Sequence, residues 1–165
     1  RSVTWEAEGI LGFELVPLPP ATALPAFTAG AHIDLHLPNG LQRSYSLLND
    51  PAETHRYLIA VLRDPRSRGG SAAMHDAVKE GDALTISTPK NHFALAHEAA
   101  SHLLLAGGIG ITPFLAWLEA LSSATDATVA HAHPHSTASA VRASVRLPEQ
   151  APSAGCAVQA ASSAS

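Results

Sequence analysis

A chain of 165 residues with 46% hydrophobic side chains can hold one ordinary domain, or a small domain and part of another, around a real core. Its net charge of −4 and pI near 6.2 exclude the basic stripe that nucleic-acid binding needs, so any phosphate must be held locally. Its single cysteine, Cys156, excludes an internal disulfide framework, a four-cysteine zinc site and an iron–sulfur cluster carried by this chain alone, and fits a reducing cytoplasm.

From Arg1 to about Ser87 the chain reads as short strands. Val3 to Glu8 is the first and Ile10 to Leu18 the second, closed by the breaker run PLPPATALP. His32 to Leu37 alternates, with Ile33, Leu35 and Leu37 on one face and His32, Asp34 and His36 on the other. Pro38-Asn39-Gly40 then signals a hairpin, and GLQRSYSLLNDP carries the return strand. Arg56 to Arg63 and Ala83 to Ser87 make a fifth and a sixth strand. Between them Ser71 to Val78 predicts a short helix with Ser71 as N-cap and Met74, Ala77 and Val78 on one face. The expected fold is an all-β, six-stranded antiparallel Greek-key barrel with one short helix, spanning residues 1–99.

The period changes at about Ser101. HLLLA reads as a strand buried on both faces of a parallel sheet, AGGIGITP as a glycine-rich turn, and Phe114, Trp117, Leu118 and Leu121 recur at helical spacing. This predicts the start of an α/β nucleotide-binding domain, incomplete over residues 100–165. From about Ser122 the 44 remaining residues hold 13 Ala and 9 Ser, with no convincing strand alternation beyond ATVAHAH. Either the second domain is cut short there or the reading frame has drifted. The apolar run Leu103 to Leu118 is shorter than the roughly 20 residues of a membrane span and is broken by glycines and a proline, so no membrane partner is expected. The start at RSVTW, without Met or a basic-then-apolar leader, reads as a fragment or trimmed chain.

Three turns can carry chemistry. Arg43 in QRSYSL offers a planar fork that matches two phosphate oxygens. In SRGGSAAMHD, Gly69 and Gly70 admit close backbone approach, and Ser71 opens a helix whose free N–H groups attract an anion. In AGGIGITP, Gly107, Gly108 and Gly110 lie between a buried strand and a helix with Pro113 in its first turn, the setting of a dinucleotide-binding loop. Pro113 takes the place of the third glycine, and Asp126 is a weak ribose reader. Taken singly, Arg43 also fits a surface strand, Tyr45 a core rim and GGS an N-cap after a loop. Their order favours a ligand. The histidines of HAHPH (His131, His133, His135) lack a carboxylate or cysteine companion, so no metal site is expected. His75 and Asp76 read as helix surface, and Cys156 lacks an activating neighbour.

Together RSYSL, RGGSAAMHD, PKNHFAL and LLLAGGIGITPFL resemble, in order, motifs of the ferredoxin-NADP reductase superfamily. Within it they are most similar to the phthalate dioxygenase reductase and vanillate demethylase reductase group. The resemblance covers roughly Arg1 to Leu121. It implies that Arg43 binds the flavin phosphate, that Ser44 beside it belongs to the cofactor-binding strand, that Tyr45 packs on the isoalloxazine and ribityl region, and that Ser46 hydrogen-bonds near the flavin nitrogen that receives hydride, as the catalytic side chain. It further implies that Ala60, Val61 and Leu62 offer backbone groups to the flavin and that Gly69, Gly70 and Ser71 hold its phosphate. Gly107, Gly108, Gly110 and Thr112 would meet the nicotinamide end of NADH. The group's RGGS turn favours FMN, with FAD possible. Members also carry a [2Fe-2S] domain ligated by four cysteines, which this chain lacks, so onward transfer needs an iron–sulfur protein or oxygenase component as acceptor. The implied activity is that of an NADH-dependent flavoprotein reductase of an aromatic oxygenase or demethylase system. The competing reading is a non-catalytic flavin-binding module.

Overall fold

A computed structural model describes residues 1–96, 101–124, 127–128, 140–146, 156–157 and 159–161. Strands β1 (Ser2–Ala7), β2 (Ile10–Leu15) and β5 (Tyr57–Leu62) form one antiparallel sheet in the order β1-β2-β5. Strands β3 (His32–His36), β4 (Gln42–Ser46) and β6 (Thr85–Ile86) form a second, in the order β4-β3-β6. Both sheets bury one face on a shared core. Ile33, Leu35 and Leu37 enter it from β3 and its end, Leu47 from beyond β4, Tyr57, Ile59 and Val61 from β5, and Phe13 from β2. The period-2 pattern therefore placed the inward faces correctly.

All six expected strands are present, but they do not close into a barrel. The edges β4 and β5 meet through one backbone bond, from Leu48 N–H to the Leu58 carbonyl at 2.9 Å, beside a side-chain bond from Leu58 N–H to Asn49 Oδ1 at 3.0 Å. Two stacked sheets and a closed barrel bury the same strand faces, so alternation alone cannot distinguish them. The hairpin between β3 and β4 matches expectation. Gly40 adopts φ +79, which glycine tolerates, and the Leu37 N–H donates to the Leu41 carbonyl at 2.8 Å.

Helix α1 (Gly70–Asp76) starts one residue earlier than expected and is capped by Gly69 in a left-handed conformation (φ 85), with no side-chain cap bond. Ser71 is not the N-cap. Its hydroxyl accepts the Asp64 N–H at 3.1 Å and bonds Ser67 Oγ at 3.0 Å, which closes the loop leading into the helix. Met74 and Val78 seal the core as predicted, whereas Ala77 is exposed.

Beyond the first unit, β7 (Ser101–Gly107) runs into a 3-10 turn (Gly108–Ile111) and then α2 (Thr112–Ala124). The strand–turn–helix order is the one expected. The direction of pairing is not. β7 pairs antiparallel over its whole length with β9 (Ala140–Arg146), whose outer neighbour is β11 (Gln159–Ala161), and among the described residues only the short β8 (Ala127–Thr128) and β10 (Cys156–Ala157) run parallel. An apolar run reports burial and says nothing about a neighbour's direction. The tail thus contributes a strand that its small residues concealed, although Val141, Ala143 and Val145 do alternate with Arg142, Ser144 and Arg146.

Segment 87–91, leaving the first unit, is pinned along the edge of β3 that also pairs with β6. His32 and Lys90 exchange backbone bonds, each 2.9 Å long, and Ser87 N–H donates to the Asp34 carbonyl. Asp34 is only 6% exposed, yet charged, because Lys90 Nζ (2.7 Å) and Ser44 Oγ (2.5 Å) both donate to its carboxylate. Those two bonds, that of Lys90 foremost, lower its pKa from the ordinary 3.8 to about 2. A depressed pKa stabilises the fold fully above 3.8, and the contribution is lost as pH falls through about 2. Asp34→Asn should therefore melt below the wild-type chain at neutral pH, with the gap narrowing between pH 4 and 2. A gap independent of pH in thermal melts would refute the ion pair as its cause.

Candidate functional site

Both sheets end on strands that face each other. The hydrogen bonds Leu47 N–H to Ala31 O and Leu37 N–H to Leu41 O fix the parity of the β3–β4 ladder, so the main-chain groups of Tyr45 and Arg43 turn toward β3. Those of Ser44 and Ser46 then point outward. On β5 the bond from Arg63 N–H to Gly9 O assigns Val61 to β2 and leaves the peptide groups of Ala60 and Leu62 outward as well. Past the Leu48–Leu58 bond these two rows of peptide groups lie on strand edges that face each other.

Arg43 lies on the first of these edge strands, β4. Its Nη1 donates to the Gln42 carbonyl at 2.7 Å, and among the described residues no carboxylate pairs with it. Its stem crosses Gly70 so closely that a Cβ there would sit 2.8 Å from Cγ, 3.0 Å from Cδ and nearer still to Nε. The strand arginine and the glycine turn, read separately from sequence, are thus in contact. Asn39 Nδ2 ties the hairpin to the same turn through the Gly69 carbonyl at 3.3 Å. Tyr45 packs half-buried against the core, and burial raises its phenol above the ordinary value of 10.0, opposed by the Arg43 charge. Neither the Tyr45 phenol nor the Ser46 hydroxyl has a side-chain hydrogen bond among the described residues. The Ser44 hydroxyl is instead committed to Asp34.

The 3-10 turn Gly108–Ile111 lies beside β5, which brings the second glycine loop to the same strand. Among the described residues a Cβ on Gly107, Gly108 or Gly110 would meet nothing within 4 Å. Thr112 is turned inward, its hydroxyl donating to the Ile109 carbonyl at 3.0 Å. Helix α2 docks through Ala116 on the main core and through Trp117 on Phe93, their rings stacked at 4.7 Å. The expected apolar face of Phe114, Trp117, Leu118 and Leu121 is confirmed in that cluster.

No protein-family model matches the chain. It is 53% identical over 121 residues to a vanillate O-demethylase oxidoreductase of Pseudomonas putida, covering 73% of this chain and 38% of that protein. A phthalate 4,5-dioxygenase oxygenase reductase subunit of Pseudomonas putida is 51% identical over 120 residues, covering 73% of this chain and 37% of its own length. Among solved structures, phthalate dioxygenase reductase, a modular structure for electron transfer from pyridine nucleotides to [2Fe-2S], superposes with a TM-score of 0.69 at 43% identity. That match covers 74% of this chain and 38% of the other. The chain belongs to the ferredoxin-NADP reductase superfamily. Within it, its relatives are the phthalate dioxygenase and vanillate demethylase reductases, and it spans less than two-fifths of their length.

For this reductase-like chain, sequence reasoning missed two features of the site. His75, expected on the helix surface, is half-buried and its Nε2 bonds the Val61 carbonyl at 2.8 Å. Asp76 forms a two-pronged ion pair with Arg63 at the end of β5, with Nη2 to Oδ2 at 2.9 Å. A His followed by Asp one turn after a glycine loop was the available signal. His131, His133, His135 and Asp126 lie outside the described residues. Among the described residues no group of three metal-ligating side chains occurs, and no described helix is long and apolar enough to cross a membrane.

Proposed function

We propose that this chain is the flavin-binding part of an oxygenase or demethylase reductase, taking electrons from NADH through FMN and passing them to an iron–sulfur acceptor. One observation carries the reading. The Arg43 side chain, with no carboxylate partner among the described residues, is laid across a glycine beside two facing strand edges whose peptide groups turn outward. A phosphate dianion complements the first, and a flat heterocycle with its own donors and acceptors complements the second. The names of the relatives supply the redox class.

In this assignment Arg43, Gly69 and Gly70 bind the phosphate, with Ser71 closing the loop behind them. Tyr45 packs on the ring system, and the peptide groups of Ser44, Ser46, Ala60 and Leu62 meet its edges. Val61 between them holds the strand. Gly107, Gly108 and Gly110 receive the nicotinamide end of NADH, with Thr112 fixing their turn. Bound FMN would supply the chemistry, accepting hydride and releasing electrons singly. The chain's own task is to hold both partners in register and to offer the Ser46 hydroxyl as a hydrogen-bond donor at the edge of β4. FAD carries the same ring and first phosphate; the RGGS turn favours FMN. Residues 1–99 form the flavin unit and 100–165 part of the nucleotide unit, and the lone cysteine favours the cytoplasm.

The purified chain, offered excess FMN, should stay yellow after desalting, and NADH should bleach it anaerobically. A colourless protein would end the flavin assignment, and a yellow one that NADH cannot bleach would be a binding module only. Ser46→Ala should keep FMN affinity within about twofold while slowing bleaching roughly tenfold, the size expected for losing one hydrogen bond to the reacting group. An unchanged bleaching rate would remove Ser46 from the reaction.

A further inference from the structure

We infer that His75 is a positioning residue that couples the glycine turn of the phosphate end to the strand edge of the ring end, an inference resting on the flavin assignment above. The carbonyl of Val61 can only accept, so at 2.8 Å the bonded Nε2 must carry the proton, and the imidazole is held as a donor. Val61 is buried, and its peptide separates those of Ala60 and Leu62, the two that turn away from β2 on the edge proposed to meet the ring. At the other end of the link, α1 is only seven residues long and has no side-chain N-cap, so its own hydrogen bonds hold it weakly. What fixes it is tertiary contact. Met74 enters the core, Asp76 grips Arg63, and His75 grips the strand itself. Gly70, at the start of that helix, supports the stem of Arg43. Beside the Asp76–Arg63 pair at the strand's end, His75 is the side chain that bonds the helix to the main chain of the strand edge, and the distance between phosphate grip and ring grip follows the His75–Val61 bond.

Two substitutions of similar length separate a donor from a spacer. His75→Gln keeps an N–H that can reach the carbonyl, while His75→Met keeps the bulk and the helix propensity but has no donor. Riboflavin and FMN binding, followed by flavin fluorescence, should both weaken roughly tenfold in His75→Met and return to within about threefold of wild type in His75→Gln. A residue that merely anchored the phosphate end would spare riboflavin. One that merely stabilised the fold would lower Tm in both variants without separating their affinities. In the flavin-free chain, amide exchange at Val61 and Arg63 should quicken roughly tenfold in His75→Met and stay near wild type in His75→Gln. Equal affinities for the two variants, or unchanged exchange in flavin-free His75→Met, would overturn the inference. Failure of the wild-type chain to bind any flavin would instead overturn the function on which it rests, and the exchange rates would still decide whether the tether exists.

Discussion

Arg43→Ala is expected to weaken FMN binding roughly 10- to 100-fold while leaving riboflavin binding within about twofold, because charge-assisted bonds to a dianion contribute about 1.5–3 kcal/mol. The telling companion is Gly70→Ala. Gly70 has ordinary helical backbone, so alanine fits the chain and should gain up to about 1 kcal/mol of helix propensity. Its new Cβ, however, would occupy space held by the Arg43 stem, 2.8 Å from Cγ and 3.0 Å from Cδ. The arginine must swing away. Gly70→Ala should thus lose FMN affinity about as severely as Arg43→Ala while its Tm holds or rises. The double variant should bind no more weakly than the worse single one, since both remove the same grip. Wild-type FMN affinity in Gly70→Ala, measured by fluorescence titration, would show that this arginine conformation is not what holds the phosphate.

Gly30→Ala should be the most destabilising single change, by about 3 kcal/mol or more, equivalent to roughly 10 °C in Tm. The Ala31 N–H donates to the Thr28 carbonyl at 3.0 Å, and Gly30 takes φ +89 in the turn position that glycine favours. A Cβ there would lie 2.6 Å from Trp117 Nε1 and closer still to the Phe93 carbonyl oxygen. The second contact is with backbone and cannot be relieved by a rotamer. Around it Asn91 Nδ2 donates to Thr28 Oγ1 (2.6 Å) and Ala29 O (2.9 Å), and Phe93 stacks on Trp117. The turn 28–31, the exit segment and α2 therefore meet at one point, and this joint seats the second glycine loop against β5. Gly30→Ala should accordingly show a lowered Tm together with weaker NADH-dependent bleaching. Melting at the wild-type temperature would refute the clash.

Local chemistry made much of this legible from the sequence. Alternation at Ile33, Leu35 and Leu37 marked an inward face, Asn39-Gly40 a hairpin, and RSYS, RGGS and AGGIGITP three ligand-bearing turns. Each is a property of a few consecutive residues; the inward face, the hairpin and the two glycine turns hold in the structure, while their ligands remain part of the proposal. Contacts between distant segments decided the rest. Strand periodicity does not say which edge pairs with which, so two open sheets took the place of a barrel, and β7 acquired an antiparallel neighbour from a tail of small residues. Likewise His75 reads as solvent-facing helix until β5 is brought beside it, when its ring finds a carbonyl, whereas Asp76 stays on the surface as read and pairs there with a guanidinium. The sequence alone determined the local pieces, the inward strand faces, the hairpin and the glycine turns on which the proposed flavin site is built. Only the tertiary structure laid Arg43 on Gly70 and turned two strand edges toward each other, because side-chain period is a local signal and strand pairing is a long-range one.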